Sequence, residues 1–513
     1  MASNILAIDQ GTTGTTAMMI CADGQVLSRS YREIGQHYPH PGWVEQDPEE
    51  IYQSVIEAGR AAIRRAKTGS RTVAAIGIAN QRETFVLWDR ASGRPVHPAI
   101  VWQCRRSAEI CRRLSVHEAE IVGRTGLLVD PYFSATKLKW LLDGHPDLRR
   151  RATRGELCFG TIDTWLVFRL SRGSAFVTDF TNASRTMLFN LAQRSWDASM
   201  LRLLRVPAAI LPRVIASRGP IAEAAAGTLA SHAIPIGALI GDQQAAMYGQ
   251  GAVRAGDAKA TYGTGAFLLI HTGNRCVRSH ERLITTMALT ADGRPAYALE
   301  GSVFIAGAAI QWLRDELGLI RKASDSLSFA HQSPSQLHPY LVPAFVGLGA
   351  PYWDSEARGA ILGITRGTTR ADIVRAALDS IAYQVADVVR AMERDVGAPV
   401  RELRVDGGAS ANDYLMQFQA DLLGRRIRRP ANTEATVLGA GMLAGLAVGM
   451  WKSVDELKAM RRIDRVFAPA MSPAMRTDLL NGWHRAVARV LTHDRGPWPT
   501  APKKRSRLRS GRA

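Results

Sequence analysis

The stretch Ile5-Leu6-Ala7-Ile8-Asp9-Gln10-Gly11-Thr12-Thr13-Gly14-Thr15-Thr16-Ala17-Met18-Met19-Ile20 sets the reading of the whole chain. Ile5 to Ile8 is a short apolar run of the kind that forms a buried strand. Gly11 to Gly14 supplies a turn and Ala17 to Ile20 a second strand, so the segment is predicted to be a hairpin. That differs from a nucleotide loop that opens a helix. The chain has no GxxxxGK[ST] stretch, and this first turn lacks GxGxxG, which speaks against P-loop and dinucleotide-binding folds. Small residues let a backbone approach phosphate closely, and threonine hydroxyls and amides donate to its oxygens. Asp9, at the strand end, suits a magnesium ion held through water. A tight hairpin built of turn-formers gives the same pattern, and this segment alone does not separate the two.

The pattern returns further along. Lys259 to Ile270 reads as strand–turn–strand around Tyr262-Gly263-Thr264-Gly265. Leu403 to Val405 is a short strand ending in Asp406-Gly407-Gly408-Ala409, before a helix predicted from Asn412 to Leu423 with Leu415, Phe418 and Leu422 on one face. A helix N-terminus suits an anionic ligand. Three glycine turns after apolar strands, spread over both halves, are hard to explain by folding alone. The echo between the first two is weak, and no strong sequence repeat exists. Strands are also predicted at Ala74 to Ala79 and Ile234 to Ile240, and helical texture at Leu138 to Leu142 and Trp165 to Leu170.

The change of half falls near residues 245–258, with no low-complexity linker. The organisation expected is an N-terminal domain over 1–250, a C-terminal domain over 251–498 and a basic tail over 499–513, with a cleft between the domains where ligands bind. Val437 to Met450 is apolar but diluted by glycine and alanine, and shorter than the roughly 20 residues a membrane span requires. It reads as a buried helix, and no membrane span is expected.

Two polar groups stand at strand ends. Asp242, in Gly241-Asp242-Gln243-Gln244, follows an apolar strand, at the edge where open α/β sheets place active residues. Phosphorylation of a hydroxyl needs a carboxylate within reach of the attacking oxygen; a helix N-cap aspartate is the plainer alternative. Asn80-Gln81-Arg82-Glu83-Thr84 offers donors and acceptors to polyol hydroxyls, or else a solvated ion pair on a surface turn. Trp102 is core or an aromatic wall.

Composition sets outer bounds. A chain of 513 residues, 46% hydrophobic, is too long for one ordinary core. Its five cysteines have irregular spacing and no CxxC pair, so neither a disulfide framework nor a zinc site is indicated. Cys104 and Cys111 are seven apart and fit one helix face. With no secretory leader visible, a reducing cytoplasm fits best. The net charge of +19 comes largely from scattered arginines, and the one dense basic run is the tail from Lys503 to Arg512. Such a run reads as a solvated end, and no nucleic-acid partner is expected.

Together and in order, Asn80-Gln81-Arg82-Glu83-Thr84, Ile100-Val101-Trp102-Gln103-Cys104-Arg105-Arg106, Asp130-Pro131-Tyr132-Phe133-Ser134, Thr181-Asn182-Ala183-Ser184-Arg185-Thr186 and Gly241-Asp242-Gln243-Gln244 resemble the FGGY carbohydrate kinases, in particular members that phosphorylate glycerol. The resemblance runs from residue 5 to about 470. It implies an α/β fold of two actin-like ATPase (ribonuclease H-like) domains around a central cleft. It implies transfer of the γ-phosphoryl of ATP to the 3-hydroxyl of glycerol, with Mg2+, releasing ADP, in glycerol catabolism. By motif, Asp242 is the expected general base. Arg82, Glu83, Tyr132, Asp242 and Gln243 are the expected hydrogen-bonding partners of glycerol, and Trp102 and Phe267 its apolar walls. Thr12, Thr13 and Gly14 would form the first phosphate turn. Thr264, Gly307, Gln311, Gly408 and Asn412 would make the remaining nucleotide contacts, with Asp9 and Asp242 near the metal. A homodimer or homotetramer is expected.

The sequence departs from the family in three places, of which Ala266, where cysteine is common, reads as neutral. Gly14-Thr15-Thr16 stands where members often carry Ser-Ser-Arg, so the arginine is missing and nucleotide affinity or turnover is expected to differ. Ser231-His232-Ala233 replaces the Gly-Thr-Arg loop through which some bacterial members are inhibited by fructose 1,6-bisphosphate. Two other readings stay open at this level. One keeps the kinase class but takes a ketose such as xylulose or another polyol. The other is a non-enzymatic nucleotide-binding regulator or tail-mediated nucleic-acid binder.

Overall fold

The computed structural model describes residues 4–333 and 339–492; the basic tail lies outside them. The first sheet holds β1 (Asn4–Gln10), β2 (Gly14–Cys21), β3 (Val26–Glu33), β4 (Val73–Asn80), β5 (Arg218–Ala224) and β6 (Ile234–Gly241), in the order β5-β6-β4-β1-β2-β3. β1 and β2 pair as the expected hairpin, and β1, β4 and β6 run parallel. The second sheet holds β7 (Ala258–Tyr262), β8 (Ala266–Gly273), β9 (Ile284–Leu289), β10 (Pro295–Val303), β11 (Glu402–Asp406), β12 (Arg426–Pro430) and β13 (Ile463–Phe467), in the order β9-β10-β8-β7-β11-β12-β13.

The two sheets repeat one plan. β7 and β8 form a hairpin as β1 and β2 do, and β7, β11 and β12 run parallel as β1, β4 and β6 do. An antiparallel strand closes each edge beyond them, β5 on β6 and β13 on β12. The repeat is one of strand pairing, which needs only apolar alternation and turn chemistry, so the sequence carries it only as the faint echo between the two turns.

Why β1 reads as continuously apolar is visible in its packing. Leu6 and Ile8 face α1 (Pro48–Ala66), while Ile5 and Ala7 face the opposite side of the sheet. Both faces are buried, as in parallel sheets generally. α1 begins at Asp47, whose carboxylate accepts from the Glu49 N–H, with Pro48 at the first helical position. The second sheet is covered by α4 (Arg370–Val396), opened by a capping box of Thr369 and Asp372. Between α1 and α4 along the chain lie α2 (Asp242–Gly249) and α3 (Gly307–Asp315). α5 (Asp413–Leu423) is the helix anticipated after the third turn, although a 3-10 turn over Gly408–Ala411 comes first.

The apolar run near the C-terminus is α6 (Ala435–Ala447), a buried helix as expected. It returns from the second half to the first sheet, packing on Ala7, Ile20 and Ala238. It also lies antiparallel against α2. A Cβ at Gly439 would collide with the Ala245 carbonyl, and one at Gly249 with that of Ala435. Glycine at these places lets the two backbones touch. No helix among the described residues is long and apolar enough to cross a membrane. All five cysteines are free. Cys104 sits in the turn before the helix Ala108–Leu114, so it shares no helix face with Cys111.

Candidate functional site

Register brings the motifs together. Gln10, Asn80 and Gly241 are level neighbours at the ends of β1, β4 and β6. The turn from Gly11, the segment from Gln81 and the carboxylate of Asp242 therefore leave the sheet at one edge, the edge where such sheets bind ligands. In the second sheet Thr261 and Asp406 are level, so the turns at Gly263 and Gly407 also share an edge.

The two phosphate-turn candidates have the same internal design. The Gly11 N–H donates to Gly14 O at 2.9 Å, and the Gly263 N–H to Gly265 O at 2.8 Å. The Thr12 and Thr13 carbonyls point back into the protein, accepting from Gln46 Nε2 and from the Ile34 N–H. The backbone N–H groups of Thr12, Thr13, Thr264 and Gly265 have no acceptor among the described residues. Paired free amides of this kind make an anion cradle. Gly14 itself is buried under Tyr31 and closes the hairpin. Gly307 starts α3 and donates to Gly263 O at 2.9 Å, while Thr264 O accepts from Ala306 and Ala308. Gln311 is exposed on α3, and Gly408 is exposed with open space where a Cβ would lie. Asn412 has a structural duty: its Oδ1 caps α5 at the Leu415 N–H, and its Nδ2 donates to Ser326 Oγ at 3.3 Å.

Arg82 and Glu83 are buried, so the solvated surface pair is excluded. Arg82 Nε lies 3.0 Å from Asp242 Oδ1. Its Nη1 and Nη2 donate to the two oxygens of Glu300 at 2.6 and 2.9 Å, and Nη1 also to Gln244 Oε1 at 3.3 Å. One Nη2 hydrogen is left for a ligand. Glu83 adopts φ 62°, a strained region for a non-glycine residue, held by Ser134 Oγ donating to its carbonyl. Its Oε1 accepts from Arg185 Nε at 2.5 Å, while Oε2 carries no hydrogen bond among the described residues. Burial raises the Glu83 carboxyl, with Arg185 and Arg82 opposing. Glu300 feels the same burial, but Arg185 and Arg82 more than reverse it and hold the carboxyl down at about 2.

Asp242 is the first residue of α2 and not its cap, which is Gly241. Its side chain keeps 28% exposure. Oδ1 is taken by Arg82 and by the Gln243 N–H at 2.6 Å, whereas Oδ2 has only a 3.4 Å approach from Gln243 Nε2. Oδ2 is thus the oxygen available to a reacting hydroxyl. Gln243 Oε1 accepts from the buried Lys259 Nζ at 2.5 Å, and Lys259 also reaches Thr261 Oγ1 at 2.8 Å. Burial brings the Lys259 ammonium down to about 8, against the pull of Asp406 and Asp242.

Three aromatic rings close one side. Trp102 meets Tyr132 edge-on at 5.5 Å and Phe267 at 6.2 Å. Phe267 comes from the second sheet, three residues beyond Thr264. Buried Lys137 fixes the Tyr132 segment by donating to the carbonyls of Pro131 and Tyr132. Open recesses of about 1060 and 1070 Å3 on the surface are lined by other residues. Asp242, the Arg82–Glu83 segment and these rings lie in the seam between the sheets.

Asp9 lies opposite Thr16 in the β1–β2 hairpin. Its Oδ1 is buried without a partner, and burial, then Asp242 and Glu434, push the carboxyl up to about 8. A cation would relieve both conditions, so the donor set fits Mg2+. No group of three or more His, Cys, Asp or Glu ligands exists among the described residues.

Glu300, Arg185, Gln244 and Lys259 belong to this network and carry no role in the sequence reading. Their signal was faint: Glu300 and Lys259 are lone charges inside apolar strands, and Arg185 lies in the Thr-Asn-Ala-Ser-Arg segment.

Residues 4–249 match the N-terminal domain, and residues 258–448 the C-terminal domain, of the FGGY family of carbohydrate kinases. The chain is 54% identical over 488 residues to a glycerol kinase of Shewanella oneidensis, covering 95% of this chain and 99% of the relative. It is 50% identical over 489 residues to one of Listeria welshimeri, covering 94% and 98%. A crystal structure of Plasmodium falciparum glycerol kinase with ADP superposes with a TM-score of 0.89 at 36% identity, covering 96% of this chain and 98% of that one. A ligand-bound xylulose kinase of Lactobacillus acidophilus shares the fold, with a TM-score of 0.83 at 21% identity over 95% and 98% of the two chains.

Proposed function

The chain belongs to the FGGY family of carbohydrate kinases, and from that premise we propose that it transfers the γ-phosphoryl of ATP to glycerol, forming sn-glycerol 3-phosphate and ADP. The observation that supports this reading is the continuity of the site. Asp242, the polyol-type pair Arg82 and Glu83, and a cradle of free amides from each sheet are joined by direct contacts through Gln243–Lys259, Trp102–Phe267 and Trp102–Thr12.

Asp242 Oδ2 accepts the proton of the attacking hydroxyl. Arg82 Nη2 and Glu83 Oε2 hold the neighbouring hydroxyls as donor and acceptor, and the Trp102 and Phe267 rings cover the carbon chain. The amides of Thr12, Thr13, Thr264 and Gly265 hold the phosphates in line with the acceptor, so positioning and charge neutralisation do most of the work. Asp9 and, through water, Asp242 would hold Mg2+, which would supply charge neutralisation to the phosphates. An assay with ATP, Mg2+ and glycerol, run beside xylulose and other polyols, tests the reading. Glycerol 3-phosphate is the expected product, and a higher kcat/KM on a pentulose would overturn glycerol as substrate.

A further inference from the structure

We propose that Glu300 is a positioning residue for the polyol site, reaching from the second sheet to set the orientation of Arg82 and Glu83. The inference rests on the polyol-kinase reading for its substrate but not for its geometry. Glu300 stands in β10, and the residues it grips lie beyond β4 and in the segment before β5. Two parallel bonds, 2.6 and 2.9 Å, fix the plane of the Arg82 guanidinium, and a bidentate pair fixes direction as well as distance. The same carboxylate accepts from Arg185 Nη2 at 3.0 Å, and Arg185 Nε in turn holds Glu83 Oε1. One carboxylate therefore governs both the donor and the acceptor offered to the substrate. Its side chain and that of Arg185 are fully buried, so water does not stand in for it.

Without that charge, Arg82 and Arg185 would face each other as two cations in a dry site. Asp242 would then be the remaining carboxylate within ion-pair reach of Arg82. The guanidinium would turn toward the base and away from the substrate. The amides of the two phosphate turns share no hydrogen bond with Glu300, so the loss should fall on the polyol and not on the nucleotide.

The test is steady-state kinetics on full-length wild type, Glu300→Gln and Glu300→Asp. Wild-type turnover of glycerol checks the parent reading first; if another polyol is the better substrate, the comparison runs with that polyol. For Glu300→Gln the expected result is a glycerol KM raised about tenfold or more and a lower kcat, with the ATP KM within about threefold. Glu300→Asp, which keeps the charge on a shorter arm, should recover part of the loss. A glycerol KM within about twofold of wild type, or glycerol and ATP KM values rising in step, would overturn the proposal. If Glu300→Gln does not fold, thermal shifts on Glu300→Asp decide. A weakened glycerol shift with a normal ADP shift supports the role, and equal changes in both overturn it.

Discussion

Trp102 Nε1 donates a hydrogen bond of 2.9 Å to Thr12 Oγ1. This single contact ties the aromatic wall of the polyol site to the first phosphate turn. Thr12→Val keeps the shape but leaves the half-buried indole without its acceptor, a loss of about 1 kcal/mol. Glycerol and ATP KM should both rise several-fold, and Thr12→Ser should stay close to wild type. Measuring both constants in the three proteins checks the coupling.

Asp242→Asn removes the proton acceptor while preserving an amide that still reaches Arg82 and Gln243. kcat should fall about 10²–10⁴-fold, the range of general-base catalysis. Glycerol binding should survive in weakened form, as read by calorimetry. Near-normal turnover would remove Asp242 as the base.

Asp9 sets a pH dependence. Its carboxyl sits at about 8 in the folded protein against an ordinary 3.8. The fold therefore favours the protonated form. The stability this group contributes is complete below about pH 4 and is lost as pH rises to about 8. Asp9→Asn should flatten that part of the stability curve. Mg2+ binding must expel the proton, so stabilisation by Mg2+ with ADP should grow from about pH 6 to about pH 8 in wild type, and that growth should vanish in the variant. Thermal denaturation across that range reads both effects.

Glu300 has the opposite sign. Held down at about 2 against an ordinary 4.5, it contributes stability that is present above about pH 4.5 and lost as pH falls through about 2. Acid unfolding monitored by circular dichroism should show this loss in wild type, and Glu300→Gln should lack that component.

The α2–α6 contact leaves no room for a Cβ at Gly439 or Gly249. Gly439→Ala forces a methyl against the Ala245 carbonyl and should cost about 1–3 kcal/mol by overpacking. Gly408→Ala meets nothing within 4 Å and should leave the melting temperature unchanged, while raising the ATP KM if the nucleotide passes there. The pair of variants separates a packing glycine from a binding one.

Much of this was legible along the chain. The Ile5–Ile20 hairpin, the strands ending at Asp406 and before Asp242, the helix opened by Asn412 and the buried helix after Val437 all follow from local rules. Each depends on apolar runs, glycine turns and helix caps that act over a few residues. The partners of Arg82 did not follow. Glu300 lies 218 residues away, in a strand whose pattern says only that it is buried. The shared plan of the two sheets was equally faint, because strand pairing is indifferent to most side-chain identities.

The sequence by itself determined where strands end, which turns have free small residues and which acids stand at strand termini, since these are properties of neighbouring residues. Only the tertiary structure decided that Arg82 and Glu83 are buried, and that Glu300 and Arg185 fix them. Those outcomes depend on charges brought together across the seam between two sheets. There burial makes a missing partner costly, and the partner comes from a strand distant in sequence.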